Sequence, residues 1–111
     1  MSEANFTGRK AKQELIMFFV YILLSEIDGK FYIGFAEDVQ SRLEAHNSGK
    51  VESTRYRKPF RLVYYEAYIN EDDARGREVF LKSGSGHNFL KKQMRHFMND
   101  LNMDSRGGAV R

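Results

Sequence analysis

The chain has no cysteine, no tryptophan and a single proline in 111 residues. Without cysteine there is no disulfide scaffold, thiolate zinc site, iron–sulfur cluster or thiol nucleophile, which leaves oxygen and imidazole groups for any chemistry. This favours a reducing, cytoplasmic setting and hard cations. Long hydrophobic runs are missing as well. The longest, Leu15 to Leu24, falls short of the ~20 apolar residues that cross a bilayer, so no membrane role is expected. Arg9, Lys10 and Lys12 ahead of it imitate a signal peptide. The run nevertheless passes into Ser25-Glu26-Ile27-Asp28-Gly29 without a small-residue cleavage pattern, and a buried strand is the better reading. Charge of one sign is also scarce, since 18 Lys and Arg stand against 15 Asp and Glu for a net charge of +3. The position of the basic residues therefore matters more than their total.

Nine Phe and six Tyr argue against disorder of the whole chain. The length suits one modest core rather than two, and excludes an enzyme built from separate cofactor and catalytic domains. The expected division is a loose leader over residues 1–16, one domain over 17–101 and a loose tail over 102–111.

Phe18 to Leu24 is continuously apolar, as in a strand buried on both faces. Asp28-Gly29 supplies a turn, and Phe31 to Phe35 returns as the second arm of an antiparallel hairpin. Gly34 within that arm interrupts pairing or permits a close approach. Asp38 can cap a helix to about Asn47, with Val39 and Leu43 on its inner face and Asn47-Ser48-Gly49 as its stop. Helical geometry puts Arg42 and His46 at the border of that apolar stripe, at a groove edge. Lys50 to Pro59 reads as a basic loop leading to a third strand, about Arg61 to Ile69. Asn70-Glu71-Asp72-Asp73 opens a second helix on which Ala74, Glu78 and Leu81 share a face. Ser83-Gly84-Ser85-Gly86 breaks the chain, and Leu90, Met94, Phe97 and Leu101 then form the stripe of a last helix. The result is an α+β fold in the order β-β-α-β-α-α, a small three-stranded antiparallel sheet flanked by helices, with the first strand in the centre.

Glu78 stands out, because an ionised carboxylate on an apolar helical face is costly unless it is paired or bound to a cation. Arg75 and Lys82, at i−3 and i+4, can pair with it. A lone carboxylate otherwise suits Mg²⁺, which keeps waters and shares itself with substrate phosphate. Arg42 and His46 can clamp a phosphate and carry a proton, or serve as a solvated cation and a helix-terminal charge. Tyr21 and Tyr32 read alone as sheet residues, and Tyr64, Tyr65 and Tyr68 as packing. His87 and His96 read as surface residues. Lys50, Arg55, Arg57 and Lys58 in the basic loop, and Lys91, Lys92 and Arg95 on the last helix, can contact nucleic-acid phosphates or remain solvated surface.

Taken in order, several segments resemble a known family. They are Phe18-Phe19-Val20-Tyr21-Ile22-Leu23, then Tyr32-Ile33-Gly34, then Asp38 to Gly49 with Arg42 and His46. Ser53-Thr54, Pro59 to Tyr64 and Ala74-Arg75-Gly76-Arg77-Glu78 follow, with the Leu81-Lys82-Ser83-Gly84 segment last. This succession is similar to the motifs of the GIY-YIG endonuclease superfamily, and most closely to its small stand-alone members. Phe19 stands where the family name has glycine, and Asn88 lies nearest in context to the family's late asparagine. The resemblance implies a metal-dependent endonuclease that hydrolyses DNA phosphodiesters with Mg²⁺ or Mn²⁺. It further implies that Tyr21 helps activate water, Tyr32 orients water or phosphate, Arg42 stabilises phosphate charge, His46 acts as base or phosphate partner, and Glu78 holds the metal. A nucleic-acid-binding module of the same fold without activity is the alternative. No DNA-recognition domain is appended, so DNA structure, a protein partner or a homodimer would supply specificity, with DNA repair among the settings.

Overall fold

The computed structural model describes residues 16–107, with side chains through residue 102. Three strands form one antiparallel sheet: β1 (Phe18–Ser25), β2 (Phe31–Ala36) and β3 (Phe60–Tyr68) in the spatial order β2-β1-β3. The unbroken apolar run is thus the central strand, as its two-sided hydrophobicity requires. Val20 to Leu24 are all buried.

Four α-helices and a 3-10 segment complete the described residues. Helix α1 (Val39–Asn47) starts from Asp38, whose side chain accepts from the Ser41 N–H. A 3-10 segment, Glu52–Arg57, occupies the stretch expected to be a loop. Helix α2 (Glu71–Leu81) is capped by Asn70, whose Oδ1 accepts from the N–H groups of Asp72 and Asp73. Ser83 caps α3 (Gly84–Gln93), so the Ser-Gly repeat expected to break the chain forms the first turn of a helix. Glycine at 86 has a packing reason, because a Cβ there would overlap the Phe80 carbonyl and Leu81 backbone. The last expected helix is divided at Met94, after which α4 runs from Arg95 to Gly107. Residues 102–107, expected as tail, therefore continue α4. The expected leader over 1–15 and the final residues 108–111 lie outside the described residues.

The alternation of β1 separates two cores. Val20 and Ile22 face one side and meet Ile33, Ala74, Leu81, Leu90 and Met94, beneath α2, α3 and α4. Tyr21 and Leu23 face the other and meet Ala36 and Phe60, with Val39 and Leu43 of α1 packed against them. Pairing of β1 with β3 carries a bulge, for Ile22 opposes Tyr64 while Leu23 opposes Leu62, leaving Val63 as the extra residue. Among the described residues no helix is long and apolar enough to cross a membrane.

Candidate active site

Three buried polar groups lie on the α1 side of the sheet. The Tyr21 hydroxyl is 3.1 Å from His46 Nε2, and His46 Nδ1 is 2.8 Å from Thr54 Oγ1. Their residues are 1%, 0% and 2% exposed, so these polar atoms depend on one another as hydrogen-bond partners. Thr54 Oγ1 lies 3.4 Å from the Val51 carbonyl as well. His46 was expected at a groove border and is instead fully interior. A helical wheel places a side chain by angle, whereas here two hydrogen bonds from β1 and the 3-10 segment make burial of the imidazole tolerable.

Tyr21 can reach His46 because of Gly34. The two face each other across β1 and β2, and the phenol ring crosses the bare glycine. A Cβ at position 34 would stand 2.5 Å from both Cζ and the hydroxyl oxygen of Tyr21. The close approach read from the sequence is therefore made by a side chain, and it aims the hydroxyl toward the sheet edge formed by β2. Tyr32, also on β2, sets its ring 4.7 Å from the imidazole at a tilt of 60° and 6.3 Å from the Tyr21 ring at 38°.

The electrostatics join two more residues to this cluster. Burial pushes the Tyr21 hydroxyl above its ordinary pKa, the neighbouring Arg42 guanidinium draws it back, and the negative charge of Glu78 adds to the rise. Burial chiefly, with Arg42 adding to it, lowers the His46 imidazole. Near neutral pH the pair is thus a protonated phenol beside an uncharged imidazole. Arg42 is half-buried on α1, one turn before His46. Glu78, on α2, has a side chain 17% exposed, and its Oε2 pairs with Lys82 Nζ at 3.0 Å. Of the two candidate partners Lys82 is the one used, since Arg75 pairs with Glu71.

No group of three His, Asp or Glu side chains able to cage a metal occurs among the described residues. Glu78 is a lone carboxylate with one oxygen engaged by Lys82. Such a donor fits Mg²⁺ or Mn²⁺ that keeps waters and takes substrate phosphate, but not a cation that demands an all-protein shell.

The basic residues separate into two groups. Lys50, Arg55 and Lys58 are exposed around the 3-10 segment that carries Thr54. Arg57 is committed to structure: its Nε donates to Asp28 at 2.6 Å and its guanidinium also reaches the Lys30 carbonyl. This pairing lowers the Asp28 carboxyl to about 2. Lys91, Lys92 and Arg95 are exposed on the helical layer over the opposite face of the sheet. Lys91 there borders an apolar cavity of about 380 Å³ with Phe31, Ile33, Leu90 and Met98, apart from the tyrosine–histidine cluster. Asn88 is exposed on α3.

Sequence reasoning gave Thr54 no role, although it lies eight residues after His46, and treated Asn47 only as a helix stop. Asn47 clasps the start of β3: its Nδ2 donates to the Phe60 carbonyl at 2.9 Å and its Oδ1 accepts from the Phe60 N–H at 2.6 Å. Tyr64 and Tyr68 also do more than pack. Both hydroxyls donate to Glu66 at 2.7 Å, which Arg77 grips with two nitrogens.

A family model described as the GIY-YIG catalytic domain matches residues 17–93. A UPF0213 protein of Lacticaseibacillus paracasei is 39% identical over 71 residues, covering 63% of this chain and 79% of that protein. One from Staphylococcus epidermidis is 40% identical over 74 residues, covering 66% and 89%. The solution NMR structure of a UPF0213 protein from Bacillus halodurans is 36% identical, covers 70% of this chain and 85% of that one, and has a TM-score of 0.45.

Proposed function

Since the chain belongs to the GIY-YIG catalytic-domain family, whose fold is of nuclease type, we propose that it is a metal-dependent endonuclease cutting DNA phosphodiesters at sites chosen by DNA structure or by a partner. The observation that carries this reading is convergence: Tyr21, Tyr32 and His46 pack together, and the charges of Arg42 and Glu78 both act on the Tyr21 hydroxyl.

Each residue has a part that follows from its setting. Arg42 is a permanent cation held half-buried, where a charge developing on phosphate would be stabilised more strongly than in water; a comparable donor is worth ~3 kcal/mol of barrier. The Tyr21 hydroxyl stays protonated, so it accepts a proton from an attacking water only as it passes its own to His46 Nε2. The imidazole, uncharged in its buried site, is able to receive it. Tyr32 walls the imidazole with its ring. Glu78 would hold the metal, which when bound polarises a phosphoryl oxygen and acidifies water. Lys50, Arg55 and Lys58 flank this side and suit phosphates of the same duplex, whereas Lys91, Lys92 and Arg95 would serve DNA that reaches around the domain.

The Glu78–Lys82 ion pair favours a second reading, a nucleic-acid-binding module without turnover, because a carboxylate so neutralised needs no metal. One experiment separates the two. Labelled plasmid, duplex, flap and branched DNAs are incubated with Mg²⁺ or Mn²⁺ and either wild type or Glu78→Gln. Metal-dependent cutting lost in the variant is the expected result. Folded wild type that binds these DNAs and cuts none would overturn the nuclease reading in favour of the module.

A further inference from the structure

We infer that Thr54 is a positioning residue, which locks His46 in the tautomer carrying its proton on Nδ1 and so keeps Nε2 open as the acceptor for the Tyr21 proton. The inference deepens the nuclease reading and rests on it for its catalytic meaning.

The direction of the hydrogen-bond chain is set at both of its ends. At one end the positive charge of Arg42 bears on the Tyr21 hydroxyl, and a guanidinium has donors only. The phenolic proton is therefore turned away from Arg42 and toward His46 Nε2, 3.1 Å away. At the other end Thr54 Oγ1 faces the Val51 carbonyl at 3.4 Å, a group that only accepts. The threonine proton points there, and its oxygen is left to accept from Nδ1–H at 2.8 Å. Read from either end, the order is the same: Tyr21 donates to Nε2, Nδ1 donates to Thr54, and Thr54 donates to Val51. The reverse order would aim Nε2–H and the guanidinium at one phenolic oxygen and leave the phenolic proton without an acceptor among the described side chains.

The role is one of orientation, since Thr54 touches neither phosphate nor water in this scheme. The 3-10 segment that carries it is itself fastened. Its own N–H donates to the Val51 carbonyl, and the Arg57 carbonyl at its far end accepts from the Ser25 hydroxyl at 2.6 Å. A side chain that must select one of two imidazole tautomers needs such a fixed base, as histidines aligned by a hydrogen bond to the second nitrogen do elsewhere.

The test reads the tautomer directly. Long-range ¹H–¹⁵N spectra of the full chain near neutral pH, with His46 identified by comparison with His46→Gln, should show a protonated Nδ1 and an unprotonated Nε2. A protonated Nε2 in the wild type would overturn the inference. Thr54→Ser should keep the wild-type pattern, while Thr54→Val should move the proton to Nε2; a valine variant with the wild-type tautomer would also overturn it. If the valine variant does not fold, the wild-type and serine spectra still decide. In the cleavage assay Thr54→Val should lower kcat by about 100-fold, the lower end of what proton transfer contributes, with KM little changed and serine restoring the rate. Wild type that cuts no DNA yet shows the Nδ1–H imidazole would refute the nuclease reading and uphold the positioning role.

Discussion

Replacing Gly34 by alanine sets two arguments of opposite sign against each other. Glycine inside a strand costs roughly 0.5–1 kcal/mol relative to alanine through backbone entropy, and Gly34 does not use a positive φ, so local reasoning expects Gly34→Ala to stabilise. The structure reverses that sign. The new methyl would meet Tyr21 Cζ and its hydroxyl oxygen at 2.5 Å and Cε2 at 2.9 Å, roughly 1 Å inside normal contact, on a ring that is 1% exposed and has little room to retreat. Overpacking of this kind costs about 1–3 kcal/mol. Displacing the phenol also strands His46 Nε2 in the interior, which adds about 1–3 kcal/mol. The net expectation is a loss of about 3 kcal/mol, or roughly 15 °C in Tm for a domain of this size. Thermal unfolding followed by circular dichroism measures it, and a double-mutant cycle isolates the cause. In a Tyr21→Leu background, with the ring tip gone, Gly34→Ala should cost less than about 0.5 kcal/mol. An alanine variant as stable as wild type, or an equal cost in both backgrounds, would refute the account of why glycine occupies this position.

Asn47→Ala should lower stability by about 2 kcal/mol in urea unfolding, since two part-buried backbone groups of Phe60 lose their partners; Asn47→Asp, keeping only the acceptor, should recover part of that loss. His46 is depressed in the folded state, so below about pH 6.5 the unfolded chain binds the proton that the folded chain refuses, and stability falls as pH drops. His46→Gln should flatten that part of a melting profile between pH 7 and 5. Tyr64 and Tyr68 are raised to about 12 by burial and by the Glu66 carboxylate beside them. The unfolded chain therefore loses protons first, and stability should decline between pH 10 and 12, less steeply in Tyr64→Phe with Tyr68→Phe, as alkaline unfolding followed by far-ultraviolet dichroism would record.

What the sequence made legible were the features encoded by periodicity. An apolar run too short for a membrane and without a cleavage pattern read best as a buried central strand, and Asp38 and Asn70 announced helices through their capping chemistry. The interior position of His46 was not legible, since its partners are 25 residues before it and 8 after it and no local pattern connects them. Glycines 84 and 86 carried a misleading signal. Their usual role as breakers gave way to Ser83 as a cap and to backbone contact with Phe80, both products of how α2 and α3 meet. The division at Met94 had no local signal at all, for the apolar stripe runs on across it. Glu78 was visible as an anomaly on its helix face, and the choice of Lys82 over Arg75 depended on Glu71 drawing Arg75 away.

The extra residue on β3 has a bearing on how such a chain tolerates changes in length. Side chains alternate along a strand, so losing one residue at most positions exchanges every later residue between faces; in β3 that would carry Glu66 and its tyrosines from one core to the other. Val63 alone is exempt. Because Leu62 already opposes Leu23 and Tyr64 already opposes Ile22, removing the residue between them leaves both alignments as they stand and restores an even ladder. The bulge is thus a frame-neutral point in the strand, where deletion of one residue does not rewrite which side chains face the tyrosine–histidine cluster.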